Sequence, residues 1–114
     1  MGAAMASIED VARDFTALLR AGQFEEAGRR FWASDIHIFE PQQQAGVLAA
    51  RVRFGSSRLE DIGIDGPFVT GDQFALFLDL VLVDPSSGRR RPFSEIALYT
   101  VRGGQIAEER HFYE

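Results

Sequence analysis

The chain has 114 residues, enough for one domain with a modest core, and 46% of them are apolar against 25% charged. A net charge of −5 is the wrong sign for non-specific nucleic-acid binding, and there is no cysteine for a disulfide, a thiol nucleophile or a thiolate metal site. All 12 basic residues are arginine, which excludes Schiff-base chemistry on a lysine.

Met1–Ser7 lacks the basic region and long apolar stretch of a secretory signal, and no apolar run reaches membrane-spanning length. These features lead to the expectation of a cytoplasmic protein without membrane partners, with residues 1–6 outside the folded part of a single domain. Ser7 reads as a helix cap, with Asp10 in the place of a capping-box acid. Ile8, Val11, Phe15, Leu18 and Leu19 follow at three- and four-residue spacing, which predicts an amphipathic helix that ends at Ala21-Gly22. Phe24, Ala27, Phe31 and Trp32 repeat that pattern and predict a second helix over 24–32. The period then changes. Asp35-Ile36-His37-Ile38-Phe39 predicts a first strand that stops at Pro41.

Over 42–54 the signals compete: Val47, Leu48 and Val52 suit a short third helix, whereas Arg51-Val52-Arg53-Phe54 alternates like a strand. From Arg58 onward the chain reads as all-β. Leu59–Ile64 leads through Asp65-Gly66-Pro67 into Phe68-Val69, and Gly71-Asp72 turns into a long strand, Phe74–Val83. Asp84–Gly88 is a dense turn signal, and Pro92–Val101 and Gln105–Tyr113 form a last hairpin joined at Gly103-Gly104. Helices first and an antiparallel meander after them define an α+β domain.

Glu109, His111 and Tyr113 stand at every second position of the final strand, so they share one face. Facing a cavity, they would supply an acid, an imidazole and a phenol; facing water, they would mean little. Ten of the aromatics are Phe, against two Tyr and one Trp, a usage that suits packing or an apolar cavity. Imidazole is the side chain that titrates near neutrality, about pH 6.5 when unperturbed, and Glu109 or Glu95 would orient it. The competing role for His111 is a hydrogen bond near a chain end. His37 is out of phase with Ile36 and Ile38 and should face outward. Two histidines far apart in sequence give little support to a metal site, and no cofactor is implied. Arg89-Arg90-Arg91 follows a Pro/Ser/Gly turn and reads as a solvated loop.

Leu18–Gly22 with Phe24, Phe31–Asp35, Glu40-Pro41, and Tyr99–Ile106 ahead of Glu108 together resemble the nuclear-transport-factor-2-like superfamily, in particular its SnoaL-like and ketosteroid-isomerase-like members. The resemblance spans nearly the whole chain. It implies a cone-shaped domain in which a strongly curved antiparallel sheet wraps a helix-lined pocket, and a homodimer through the outer sheet face. Against ketosteroid isomerase, Glu40 before Pro41 falls where that enzyme has its general base, while its two oxyanion donors match Phe15 and Ala97. Neither can donate a hydrogen bond, and each lost donor is worth roughly 3 kcal/mol to a developing enolate. The same comparison turns Leu76, Leu78, Leu80 and Leu82 inward, with Phe77, Asp79, Val81 and Val83 outward. It also turns Glu95, Ala97 and Tyr99 inward on the next strand, and Ala107, Glu109, His111 and Tyr113 on the last. The implied pocket is lined by Phe15, Leu18 and the leucines, with a polar side of Glu40, Glu95, Tyr99, Glu109, His111 and Tyr113. Two functions remain open: a domain that binds a small apolar molecule, or an acid/base enzyme of isomerase, cyclase or dehydratase type. In the second, His111, Glu109 and Glu40 act on an apolar carbonyl-bearing substrate.

Overall fold

A computed structural model describes residues 6–39 and 58–113. Two helices, α1 (Ile8–Arg20) and α2 (Phe24–Phe31), precede five strands: β1 (Trp32–Phe39), β2 (Arg58–Thr70), β3 (Gln73–Val83), β4 (Arg90–Arg102) and β5 (Gln105–Phe112). The Ser7 hydroxyl accepts from the Asp10 amide at 3.1 Å, so the expected cap starts α1. α2 ends one residue earlier than its apolar spacing suggests, because Trp32 takes an extended conformation and opens β1.

The strands form one sheet in the order β1-β5-β4-β3-β2. β2 to β5 are the expected antiparallel meander, but β1 joins β5 in parallel, so the sheet is mixed. Asp65-Gly66-Pro67, through which Leu59–Ile64 leads into Phe68-Val69, lies within a continuous β2, where the pairing with β3 shifts register between Asp65 and Phe68. The β4–β5 turn is two residues long with φ of 60° at Gly103 and 76° at Gly104, a conformation that glycine adopts without the Cβ penalty.

One face of the sheet carries the core. Phe74, Leu76, Leu78, Leu80 and Leu82 are all buried on β3, as are Glu95, Ala97, Tyr99 and Val101 on β4. α1 lies on this face: the Phe15 ring meets Tyr99 at 5.0 Å and Phe74 at 6.1 Å, and reaches Phe31 of α2 at 6.1 Å. At its C-terminal end the Arg20 guanidinium donates to the carbonyls of Ile64 (3.2 Å) and Gly66 (3.0 Å), tying the helix to β2.

Two expected facings change. On β5 the register slips beside Thr100, which opposes Glu108 while Val101 opposes Ile106, so Ala107 is an extra residue. A one-residue bulge reverses side-chain parity. Ile106 therefore fills the inner position expected of Ala107 and is fully buried, while Glu109 and His111 keep the inner face. At the end of β3, Val83 is buried rather than exposed. It lies between Arg58 and Arg90 in the register, whose apolar stems can cover it.

Candidate active site

The ionisable residues of the inner face come from two neighbouring strands. Register pairs Tyr99 with Glu109 and Ala97 with His111, while Leu78 on β3 lies across from Glu95. Glu95 is thus the diagonal neighbour of His111, a relation that long side chains can span. His111 Nδ1 lies 3.2 Å from Glu95 Oε2, and its Nε2 lies 4.0 Å from Glu109 Oε1. All three side chains are withdrawn from solvent, with exposures of 1% for Glu95, 6% for Glu109 and 8% for His111. The small Ala97 side chain directly opposite His111 leaves room for the ring to lean toward Glu95.

The surroundings are apolar. Leu78 and Ala97 are buried beside the cluster, and Ile38 of β1, fully buried, is the register partner of Glu109. Little water reaches such a site, so a hydrogen bond to a carboxylate is stronger there and an unpaired charge is more costly. The Tyr99 ring stacks on Phe74 at 4.7 Å, which fixes its plane next to Glu109. Tyr113, just beyond β5, is half-buried, with its ring 5.0 Å from Phe93.

The two carboxylates that sequence reasoning left as alternative partners for His111 are therefore both beside it, at different distances. Glu95 makes the hydrogen bond and Glu109 flanks the other nitrogen. Phe15, Leu76, Leu78 and Ala97 belong to the core cluster, with Leu18 packed against it, whereas Leu80 is buried on the same face beyond that cluster. Glu40 lies outside the described residues, as do the competing helix and strand readings of 42–54. His37 is exposed and stacks on Phe39 at 6.2 Å, away from the cluster. Sequence reasoning passed over Thr16, whose side chain is fully buried and whose hydroxyl has no partner among the described residues. Its signal was its position four residues after Ala12, on the buried side of α1.

Among the described residues no group of three or more His, Cys, Asp or Glu side chains has the geometry to hold a metal ion. No described helix is long and apolar enough to cross a membrane.

Neither a protein-family model nor a curated protein sequence matches the chain. Solved structures do match. A Mesorhizobium loti protein, provisionally described as a SnoaL-like polyketide cyclase and also as a carbohydrate phosphatase, is 32% identical with a TM-score of 0.81; the match covers 95% of this chain and 100% of that one. A SnoaL-like protein of a Jannaschia species is 19% identical with a TM-score of 0.72 over 99% of this chain and 92% of its own. A nuclear-transport-factor-2-like protein of Burkholderia thailandensis is 15% identical with a TM-score of 0.74 over 96% and 92%. The last two show the fold. With the α+β order and 32% identity over the whole Mesorhizobium chain, this protein belongs to the SnoaL-like family.

Proposed function

We propose that this domain binds a small apolar, carbonyl-bearing molecule on the inner face of its sheet, beside His111. The observation that carries the reading is the contact of 3.2 Å between His111 and Glu95 on a largely apolar face. Small-molecule sites have this make-up: apolar walls that exclude water and a few polar groups that orient the ligand.

A second reading, an acid/base enzyme, is favoured by the carboxylates at both ring nitrogens. His111 would take a proton from the carbon next to the ligand carbonyl, and Glu95 would stabilise the imidazolium so formed. Glu109 would receive or return the proton at the far nitrogen, with Glu40 as a further carboxylate. Tyr99, one of the two phenols expected on this face, would donate to the carbonyl oxygen. Phe15 and Ala97 supply no donor, so a steroid-isomerase type of enolate stabilisation does not fit. The cyclase and phosphatase names of the Mesorhizobium relative identify no substrate for this chain.

Native mass spectrometry of the purified protein against its denatured mass tests the binding reading, with a thermal-shift titration of 2-acetylnaphthalene as an apolar ketone probe. Extra small-molecule mass, or a rise in Tm with the probe, supports it. The bare sequence mass with no shift refutes it. For the enzyme reading, the His111→Ala variant should lose turnover while keeping its fold.

The proposed assembly is a homodimer through the outer face. Phe77, Ile96 and Phe112 are cross-strand neighbours in one row across β3, β4 and β5, with exposures of 44%, 39% and 53%. Phe68 packs edge-on against Phe77 at 5.6 Å and widens the patch. A contiguous apolar patch on an otherwise charged surface is the mark of an interface.

A further inference from the structure

We infer that Glu95 is a positioning residue that holds the neutral His111 ring with its proton on Nδ1, making Nε2 the basic nitrogen of the site. The two carboxylates beside the ring are not equivalent. Glu95 Oε2 is 3.2 Å from Nδ1, within hydrogen-bond reach, whereas Glu109 Oε1 is 4.0 Å from Nε2, outside it. An ionised carboxylate only accepts, so the Nδ1 contact is attractive only when Nδ1 carries the hydrogen. A neutral imidazole has one N–H, and with that proton committed to Glu95 the lone pair lies on Nε2.

The backbone enforces the asymmetry. Glu95 and His111 stand on adjacent strands, diagonal across the Ala97–His111 pair, and Ala97 offers no bulk to hold the ring away from β4. Glu109 stands two residues before His111 on the same strand, with both side chains rising from the inner face. Side chains so related run side by side, about 6.6 Å apart at 3.3 Å per residue, and do not point at each other. Glu95 is also the more buried carboxylate, facing Leu78, where a hydrogen bond to the ring is least challenged by water.

In the enzyme reading this assignment makes Nε2 the atom that takes the proton, Glu95 the group that stabilises the resulting imidazolium, and Glu109 the neighbour of the incoming proton. That catalytic consequence rests on the reading above. The tautomer does not, because it is measured without ligand or turnover, so failure of one is distinguishable from failure of the other.

The test is two-bond 1H–15N correlation NMR of the histidine rings, recorded at a pH where they are neutral. His37, exposed and without a carboxylate contact among the described residues, serves as reference and is assigned by its loss in His37→Gln. The expected His111 pattern is a protonated, pyrrole-type Nδ1 and an unprotonated, pyridine-type Nε2. Glu95→Leu, which removes the acceptor, should move the population toward Nε2–H, and Glu95→Asp should weaken the Nδ1–H signature by withdrawing the carboxylate one methylene. Glu109→Gln should leave the wild-type pattern. A wild-type ring protonated on Nε2, or a Glu95→Leu spectrum with unchanged Nδ1–H, overturns the assignment. So does Glu109→Gln switching the tautomer. The amide spectrum of each variant reports whether it is folded, and Glu95→Asp carries the test should Glu95→Leu not fold.

Discussion

If Glu95 rather than Glu109 is the hydrogen-bonded partner of His111, the two carboxylates must couple to the ring by different amounts. Two double-mutant cycles measure this, Glu95→Ala with His111→Ala and Glu109→Ala with His111→Ala, each read by urea unfolding at neutral pH through the single tryptophan, Trp32. A hydrogen bond with a charged partner contributes about 1.5–3 kcal/mol. The Glu95–His111 contact is 3.2 Å and almost dry, so its coupling should fall in that range. At 4.0 Å the Glu109 contact lies outside hydrogen-bond reach, so its coupling to the neutral ring should be the smaller of the two. The cycle cancels what each truncation does alone, including any cavity it leaves. In a domain of this size about 1 kcal/mol moves Tm by roughly 4 °C, so the difference between the cycles is measurable. Protein concentration is held constant, since a dimer couples stability to concentration. A Glu95–His111 coupling below about 0.5 kcal/mol, or below the Glu109–His111 coupling, refutes the reasoning.

Replacing Phe77 with Glu places a charge at the middle of the outer apolar row and should shift the sedimenting species from dimer to monomer; a wild-type monomer at micromolar concentration in analytical ultracentrifugation overturns the assembly. Gly28→Ala gains about 1 kcal/mol of helix propensity, but the new Cβ would lie 2.9 Å from Cε3 of the Trp32 ring. Overpacking costs about 1–3 kcal/mol, so the variant should be destabilised or at best neutral, with altered Trp32 emission; a clear rise in Tm would contradict the packing. The Asp84 carboxyl is held below its ordinary value of 3.8 chiefly by the Ser86 hydroxyl, at 2.7 Å, and by the Ser86 amide, at 2.8 Å. A depressed folded-state pKa stabilises above the unfolded value and ceases to do so as pH falls through the folded one. The stability difference between wild type and Asp84→Ala should therefore be constant from neutrality down to about pH 4 and shrink below it; a difference that grows under acid excludes the assignment.

The order of elements was legible because its signals are local. Helical spacing in 8–20, the Ser7 cap and the turn chemistry of Asp84–Gly88 and Gly103-Gly104 each depend on neighbours within a few residues. Which face of β3 and β4 turns inward came from the resemblance to ketosteroid isomerase; alternation then carries that facing along each strand while it stays regular. What local reasoning could not supply was where regularity breaks. Trp32 looks helical by spacing, yet the register of β1 against β5 claims it for a strand, with Ile106 as partner. The row Phe77–Ile96–Phe112 is assembled from three strands, so it was not visible until their registers were known.

The extra residue at Ala107 shows how much one such break decides. Without it, strict alternation backward from His111 would turn Ala107 inward and leave Ile106, an apolar residue, on the outer face. With it, Ile106 closes the core beside Val101 while Glu109 and His111 remain opposite Tyr99 and Ala97. A bulge is how a strand satisfies two demands of opposite parity: hydrophobic burial near the hairpin and an ionisable pair further on. The turn end of β5 thus serves the core and its far end serves the site. Glu109 and His111 reach the face of Glu95 while Ile106 stays in the core because β5 inserts a single residue between those two tasks.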